Sequence, residues 1–484
     1  LRSITISPYA PTLIESIRAV GYTLESAIAD IIDNSVTATA SHVEIGYLPY
    51  NDPYITILDD GNGMDAFELE AAMRYGSQNP NVKRAPTDLG RFGLGLKTAS
   101  LSQCRILTVV SKKNNKIEAR RWDIDHVIKT EAWSLIVLET EEELNDIPQI
   151  TNLSNLEHGT LVVWQNLDRL KNGESNFNLS FGSKMDNVRS HLSLVFHRYL
   201  SGEKGLQKLE IKMNNIPIEY VDPFLQNRHT QVMADEILCI GKSKVTVRPY
   251  ILPHISMLSS DELKMLGGKD GLRKSQGFYV YRNKRLLVWG TWFHMMRKGE
   301  LSKLARIQVD ISNDLDNLWT LDIKKSTAMP PEIVRKNLKS IIERMAEHSK
   351  QTWVCRGKKE TNESVVHIWQ RLKGRQGGVY YVINRDHPII KVLFESSPQI
   401  KHNVEMLLKI IEDNIPFNNL YLDLTTEKTL DNEAETNAQT IENMLQDLLE
   451  EQLTQFKKEE LLKQLSKSDP FDKYPEIIKK LQRS

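Results

Sequence analysis

Asp59-Asp60-Gly61-Asn62-Gly63-Met64 directly follows the run Tyr54–Leu58, in which side chains alternate in the manner of a half-buried strand. Period-two alternation predicts that strand, and the Gly-Asn-Gly sequence stops it. The strand therefore delivers the Asp59 carboxylate at its end, beside glycines that let a flat partner approach the backbone. Such a carboxylate can accept a hydrogen bond from an exocyclic amine. Read alone, Asp-Gly and Asn-Gly are also ordinary turn dipeptides, so the stretch takes its meaning from its neighbours.

Toward the N-terminus, residues 22–38 place Leu24, Ala27, Ile28, Ile31, Ile32 and Ser35 at helical spacing, predicting a helix with one buried stripe. His42–Tyr47 then alternates as another strand. On the helix, Asp30 and Asn34 are four residues apart and share a face opposite the stripe. A carboxylate beside a carboxamide can hold a water and a hard cation, and magnesium takes few protein oxygens besides phosphates. The ordinary alternative is a solvated polar face.

Toward the C-terminus, residues 65–75 predict a helix. Residues 76–95 are rich in Gly, Pro, Asn and Lys and read as a long loop entering a helix at 93–103. The loop ends in Gly90-Arg91-Phe92-Gly93-Leu94-Gly95-Leu96-Lys97-Thr98-Ala99-Ser100. Free N–H groups at a helix start favour phosphate, and Lys97 adds a point charge. The Walker A spacing is missing. Strands follow at 105–111, 116–122 and 159–165, with a solvated acidic loop over Glu139–Glu143 and a helix at 184–200.

These clusters occur in order within 75 residues, each in the context it needs. Together they resemble the GHKL ATPase superfamily, which includes gyrase B, the large heat-shock chaperones, sensor histidine kinases and MutL. Asp30 and Asn34 match its asparagine motif, Asp59–Gly63 its D-x-G-x-G motif, Gly90–Lys97 its lid and glycine motif, and Gly159-Thr160 its later Gly-Thr. The wording DDGNGM and FGLGLKTAS is most similar to the MORC-type branch and its bacterial relatives. The resemblance implies an α+β chain opening with a Bergerat-fold α/β sandwich that binds ATP and Mg2+. It implies Asn34 on magnesium and Asp59 on adenine, supported by Thr160. Gly61, Gly63 and Met64 would line the base pocket. Residues 74–95 would form a lid, with Gly93, Leu94, Gly95 and Lys97 on phosphate. Asp30 stands where the family commonly carries a glutamate general base, so its carboxylate sits one methylene further back. A carboxylate base remains adequate if it reaches the water.

Residues 205–345 change rhythm, with strands at Leu209–Met213, Lys244–Ile251, Gly277–Trp289 and Ala305–Ile311 and a helix from Pro330-Pro331 to about 348. The resemblance makes this α+β region a ribosomal-protein-like transducer domain. It implies that a lysine from Trp319–Ala328 touches the γ-phosphate, Lys325 being favoured over Lys324. The domains are expected at 1–203, 204–348 and 349–484, the last mixed and then helical. There Ile441, Met444, Leu445, Leu448, Leu449, Leu453 and Phe456 form an apolar stripe. Its heptad is not sustained, so a packed helix is expected rather than a coiled coil.

The 484 residues carry 63 Lys+Arg and 63 Asp+Glu, which excludes a uniformly basic nucleic-acid coat. Charge is nevertheless segregated, because Lys269–Arg306 holds ten Lys/Arg against Asp270 and Glu300, a local +8. Such a patch can neutralise the phosphates of double-stranded DNA without reading bases. Its alternative is a solvated strand face. Cys104, Cys239 and Cys355 form no CxxC pair, against a disulfide scaffold or a structural zinc. That sparse, odd set fits a reducing cytoplasm, and no apolar run reaches the roughly 18–20 residues that span a bilayer, so no membrane partner is expected. The function implied is a slow ATPase whose N-terminal domains dimerise on ATP. That clamp would act on DNA, in anti-phage defence with an operon-encoded effector protein. The alternative is an ATP-gated scaffold or chaperone-like subunit that recruits an effector. A sensor kinase expects a phospho-accepting His helix before the ATP domain, which here starts near residue 10.

Overall fold

The computed structural model describes residues 3–4, 8–19, 21–76, 89, 95–226, 230–241, 243–254, 257–266, 268–299, 302–316, 318–321, 328–354, 366–373, 379–396, 398–417, 420, 442–443, 445–446, 455–468 and 471–483. Contacts divide the α+β chain into two compact units, residues 1–356 and 357–484. Most of the expected lid lies outside the described residues, as do Gly93, Leu94, Lys324 and Lys325.

Residues 1–356 hold two large sheets. The first comprises β1 (His42–Leu48), β2 (Tyr54–Asp59), β3 (Ile106–Lys113), β4 (Lys116–Asp123), β5 (Ile136–Leu138), β6 (Gly159–Gln165), β7 (Glu210–Met213) and β8 (Ile216–Pro217). Their order is β5-β4-β3-β6-β2-β1-β7-β8. Only the β1–β7 pair is parallel in this sheet. The helices are α1 (Ala10–Arg18), α2 (Leu24–Thr37), α3 (Ala66–Met73), α4 (Gly95–Leu101), α5 (Ile124–Thr130), α6 (Glu141–Asn145), α7 (Ile150–Ser154), α8 (Asp168–Lys171), α9 (Phe177–Val195) and α10 (His197–Leu200).

Period-two geometry sends neighbouring strand residues to opposite faces. Ile57, Val109 and Val162 bury against Ile28 and Ile32 of α2 and Val188 and Leu192 of α9. Val110, Leu161 and Val163 instead bury against Ile150 and Leu153 of α7. Each such aliphatic side chain contributes about 1.5–3 kcal/mol on burial, which fixes the register of β2 and β6 and thus the position of Asp59.

The second sheet comprises β9 (Gln231–Val232), β10 (Glu236–Ile240), β11 (Ser243–Ile251), β12 (Gly277–Arg282), β13 (Arg285–Thr291) and β14 (Ala305–Ile311). Its order is β10-β11-β14-β12-β13, with β9 on β11. Beyond α11 (Ser260–Met265) and α12 (Gly268–Lys274), α13 (Glu332–Val354) supplies Val334, Leu338, Ile341 and Met345 to its core. Helix α10 joins the two sheets. His197 Nε2 and the Tyr281 hydroxyl are 2.8 Å apart, and the Tyr199 hydroxyl donates to Asn283 O at 2.6 Å. The Arg198 guanidinium donates to Asp310 at 2.6 Å.

Residues 357–484 contain a hairpin of Trp369–Lys373 with Val379–Ile383 and the helices Pro388–Ser396, Pro398–Asp413, Gln455–Leu465 and Pro475–Arg483. A small core gathers Leu445, Leu462, Leu465, Phe471 and Ile478. The rest of the apolar stripe around Leu445 falls among undescribed backbone or side chains.

Four expectations change. The acidic run is not a loop but the start of α6, capped reciprocally by Thr140 and Glu143. Leu209–Met213 joins the first sheet rather than the second, because β7 pairs with the edge of β1. Gly277–Trp289 is two strands, turned at Asn283 (φ 49°) and Lys284 (φ 69°), both left-handed as a tight hairpin of this kind requires. Finally, the basic run is not one surface patch. Arg282, Arg285, Lys303 and Arg306 are buried, while Arg273, Lys274, Arg297 and Lys298 remain exposed.

Candidate functional site

Asp59 ends β2 opposite Thr160 of β6 and is only 7 % exposed. Ser35 Oγ on α2 donates to its Oδ2 at 2.7 Å, and the Gly61 N–H donates to its Oδ1 at 3.0 Å. Burial pushes its pKa up, against the hydrogen bonds from Ser35, Gly61 and Thr160 that hold it down. Two carboxylate oxygens offer about four lone-pair sites, so acceptor capacity remains for an amine. Behind it, Ser111 Oγ lies 3.0 Å from Thr160 Oγ1, donates to Gly159 O at 3.0 Å and accepts the Met64 N–H at 2.8 Å. Gly63 adopts φ +63°, and a Cβ there would lie 2.1 Å from Lys112 O. Only glycine lets this turn close onto β3.

Asp30 and Asn34 part company. The sequence puts both on one polar face. Asn34 is exposed, but Asp30 is 3 % exposed, because elements distant in sequence cover it. The Tyr22 hydroxyl donates to Asp30 Oδ2 at 3.0 Å. Arg285 Nη2, from the second sheet, lies 3.9 Å from Oδ1. The start of α4 closes the other side, since a Cβ on Gly95 would sit 3.7 Å from Oδ2. A carboxylate thus faces the start of α4 at Gly95, an arrangement suited to accepting a proton beside a bound anion.

Lys97 is buried, and its ammonium donates to Ala72 O at 2.7 Å and Arg74 O at 2.8 Å. Burial lowers its pKa to about 8. It ties α4 to the end of α3, across the two ends of the expected lid. The ammonium carries three donors, so a phosphate contact can be added while both carbonyls are held.

The structure therefore gathers Asp59, Gly61, Gly63, Met64 and Thr160 at one corner and sets Asp30 against Gly95 at another, with α2 linking the two. Sequence reading missed Tyr22, Ser111, His158 and Arg285. His158 Nδ1 lies 2.6 Å from Gly61 O and steadies the turn. Ser35 did carry a signal, since a serine on a buried helix face needs a partner.

Residues 22–160 match the family model described as histidine kinase-, DNA gyrase B-, and HSP90-like ATPase. Over 95 residues, 19 % of this chain and 11 % of the relative, the chain is 34 % identical to the ATPase morc-1 of Caenorhabditis elegans. Over 197 residues, 33 % of this chain and 19 % of the relative, it is 27 % identical to the ATPase MORC2B of Mus musculus. The matched stretches thus span less than a fifth of either relative's length. Among the described residues no helix is long and apolar enough to cross a membrane. Residues 22–160 therefore form a GHKL-type ATPase domain, and the chain is similar there to MORC ATPases.

Proposed function

We propose that this chain hydrolyses ATP slowly and that ATP brings two copies together through their N-terminal regions. The observation that carries the reading is the buried Asp59 carboxylate, braced by Ser35 and Gly61 within the matched ATPase stretch. Asp59 accepts from the adenine amine with Thr160 in support, and Gly61, Gly63 and Met64 line the base. N–H groups of Gly93, Leu94 and Gly95 receive the phosphates, with Lys97 beside them. Asp30 takes the proton from the attacking water. Lys325, or its neighbour Lys324, stabilises charge on the transferring phosphoryl group.

The donor set fits Mg2+. Asn34 offers an exposed carboxamide oxygen one turn after Asp30, and no cluster of three or more His, Cys, Asp or Glu converges among the described residues. An ion held by one protein oxygen and completed by phosphate oxygens and water suits that pattern. Bound there, it would neutralise phosphate charge.

Residues 1–203 are proposed as the ATPase domain, extended by the added edge strands β7 and β8, and residues up to 348 as the transducer. Exposed Arg273, Lys274, Arg297 and Lys298 support duplex DNA as the clamped partner. A defence role with an operon-encoded effector rests on resemblance alone. The burial of Asp30, one methylene short of the usual base, favours a second reading in which the chain is an ATP-gated scaffold for an effector.

Mass in solution tests the clamp. A non-hydrolysable ATP analogue should double it, and duplex DNA should bind in a salt-dependent way that charge reversal at Arg273, Lys274, Arg297 and Lys298 weakens. A monomer with saturating analogue contradicts the clamp. DNA affinity unchanged by the reversal removes that surface as the DNA site.

A further inference from the structure

The turn between β12 and β13 is bracketed by two buried arginines that reach back to Leu89 and to helix α2. Arg282 Nε and Nη2 donate to the two oxygens of Asp316 at 2.8 and 2.7 Å. Its Nη1 donates to Leu89 O at 2.9 Å. Leu89 is itself buried, and its N–H reaches Thr37 Oγ1 of α2 at 3.4 Å. Arg285 Nε donates to Asp33 Oδ1 at 3.1 Å, and Nη1 donates to Leu286 O at 2.8 Å. Nη2 lies 3.9 Å from Asp30 Oδ1, and the guanidinium carbon stands 5.7 Å from the centre of the Phe196 ring.

A guanidinium is a rigid planar fork. Held by Nε and Nη1, Arg285 has no freedom to withdraw Nη2 from Asp30. It bridges two carboxylates three residues apart on α2, so it restricts the rotamers of both. Asp30 then has a hydroxyl on one oxygen, from Tyr22, and a cation facing the other. A displacement of the hairpin moves this cation relative to the carboxylate, whereas the Asp59 corner touches neither arginine through any bond described above.

We propose that Arg285 is a positioning residue for Asp30, through which the second sheet sets the geometry of water activation without setting nucleotide affinity. This rests on the reading of Asp30 as general base. Turnover is thereby coupled to how the β12–β13 hairpin seats on α2, which lets a transducer movement govern hydrolysis.

The test uses the full chain, comparing Arg285→Met, Arg285→Lys and Asp30→Asn by steady-state ATP turnover, calorimetric affinity for a non-hydrolysable ATP analogue, and melting temperature. A general base is worth about 10²–10⁴ in rate, so Arg285→Met should lower kcat by roughly 10- to 100-fold. Its affinity for the analogue should stay within about twofold of wild type, the signature of a loss confined to the transition state. Arg285→Lys keeps the charge and protects folding, but an ammonium cannot span both carboxylates. It should lose about 3- to 10-fold in kcat at unchanged affinity, and this result decides the matter if Arg285→Met does not fold. Wild-type kcat in the lysine variant, or affinity falling together with kcat, overturns the proposal. If Asp30→Asn is inactive while Arg285→Met turns over normally, the positioning role alone fails. A fully active Asp30→Asn removes the base assignment and the proposal with it.

Discussion

Ser35 Oγ donates to Asp59 Oδ2 at 2.7 Å across 24 residues of chain. This bond joins the helix carrying Asp30 and Asn34 to the strand end carrying Asp59. Helix α2 thus braces Asp59 through Ser35 while carrying Asp30 on another part of its surface. The bond is charge-assisted and buried, the kind worth about 1.5–3 kcal/mol.

Asp59→Asn should weaken nucleotide binding by roughly 10- to 100-fold, the equivalent of one charge-assisted hydrogen bond. Calorimetry with an ATP analogue measures it, and tight binding by the variant contradicts the adenine assignment. The same variant has a pH signature. Burial raises the folded-state pKa of Asp59 above its ordinary 3.8, so the native chain holds that proton more tightly than the unfolded one. Ionised Asp59 then weighs against folding at every pH above its folded value. Asparagine carries no such burden. The melting temperature of the variant relative to wild type should climb as pH rises from 3.8 through the raised pKa and level off above it. A flat difference across that window contradicts a reluctant carboxylate.

Gly63→Ala should destabilise the first sheet. The left-handed conformation costs an L-residue about 1–2 kcal/mol, and the added Cβ would also sit 2.1 Å from Lys112 O. A loss of at least about 2 kcal/mol is expected in urea unfolding, in the range of backbone-conflict mutations. Wild-type stability would contradict the close approach of this turn to β3.

Lys97→Met should lower stability without any nucleotide present. It strips the donor from Ala72 O and Arg74 O, two part-buried hydrogen bonds, at about 0.5–1.5 kcal/mol each. Thermal melting of the ligand-free protein reads this directly. If the melting temperature holds and only nucleotide affinity falls, Lys97 serves phosphate rather than the α3–α4 tie.

Much of this was legible because it is local. Strands β6 and β14 fall where alternation puts them, and the Asp59 corner follows from a strand meeting Gly-Asn-Gly. The Thr140 and Glu143 capping box was also present in the sequence, although the acidic run around it read as a solvated loop. What stayed hidden depends on partners far along the chain. Arg282 and Arg285 look like surface charge until Asp316 and Asp33 are folded against them. Asp30 looks solvated until the same hairpin covers it. Strand β7 joins β1 in parallel across the whole intervening domain, a pairing no local pattern encodes. The hairpin itself was masked because Asn283-Lys284 lacks the glycine that usually marks such a turn.

The proposed division of labour, Asp30 on water and Asp59 on the nucleotide, separates turnover from binding. The most direct measurement is ADP formation by wild type and Asp30→Asn side by side, with analogue affinity measured on the same preparations. Wild type should turn ATP over slowly and only with magnesium, and the variant should bind the analogue without turnover. Turnover by Asp30→Asn at the wild-type rate would contradict that division.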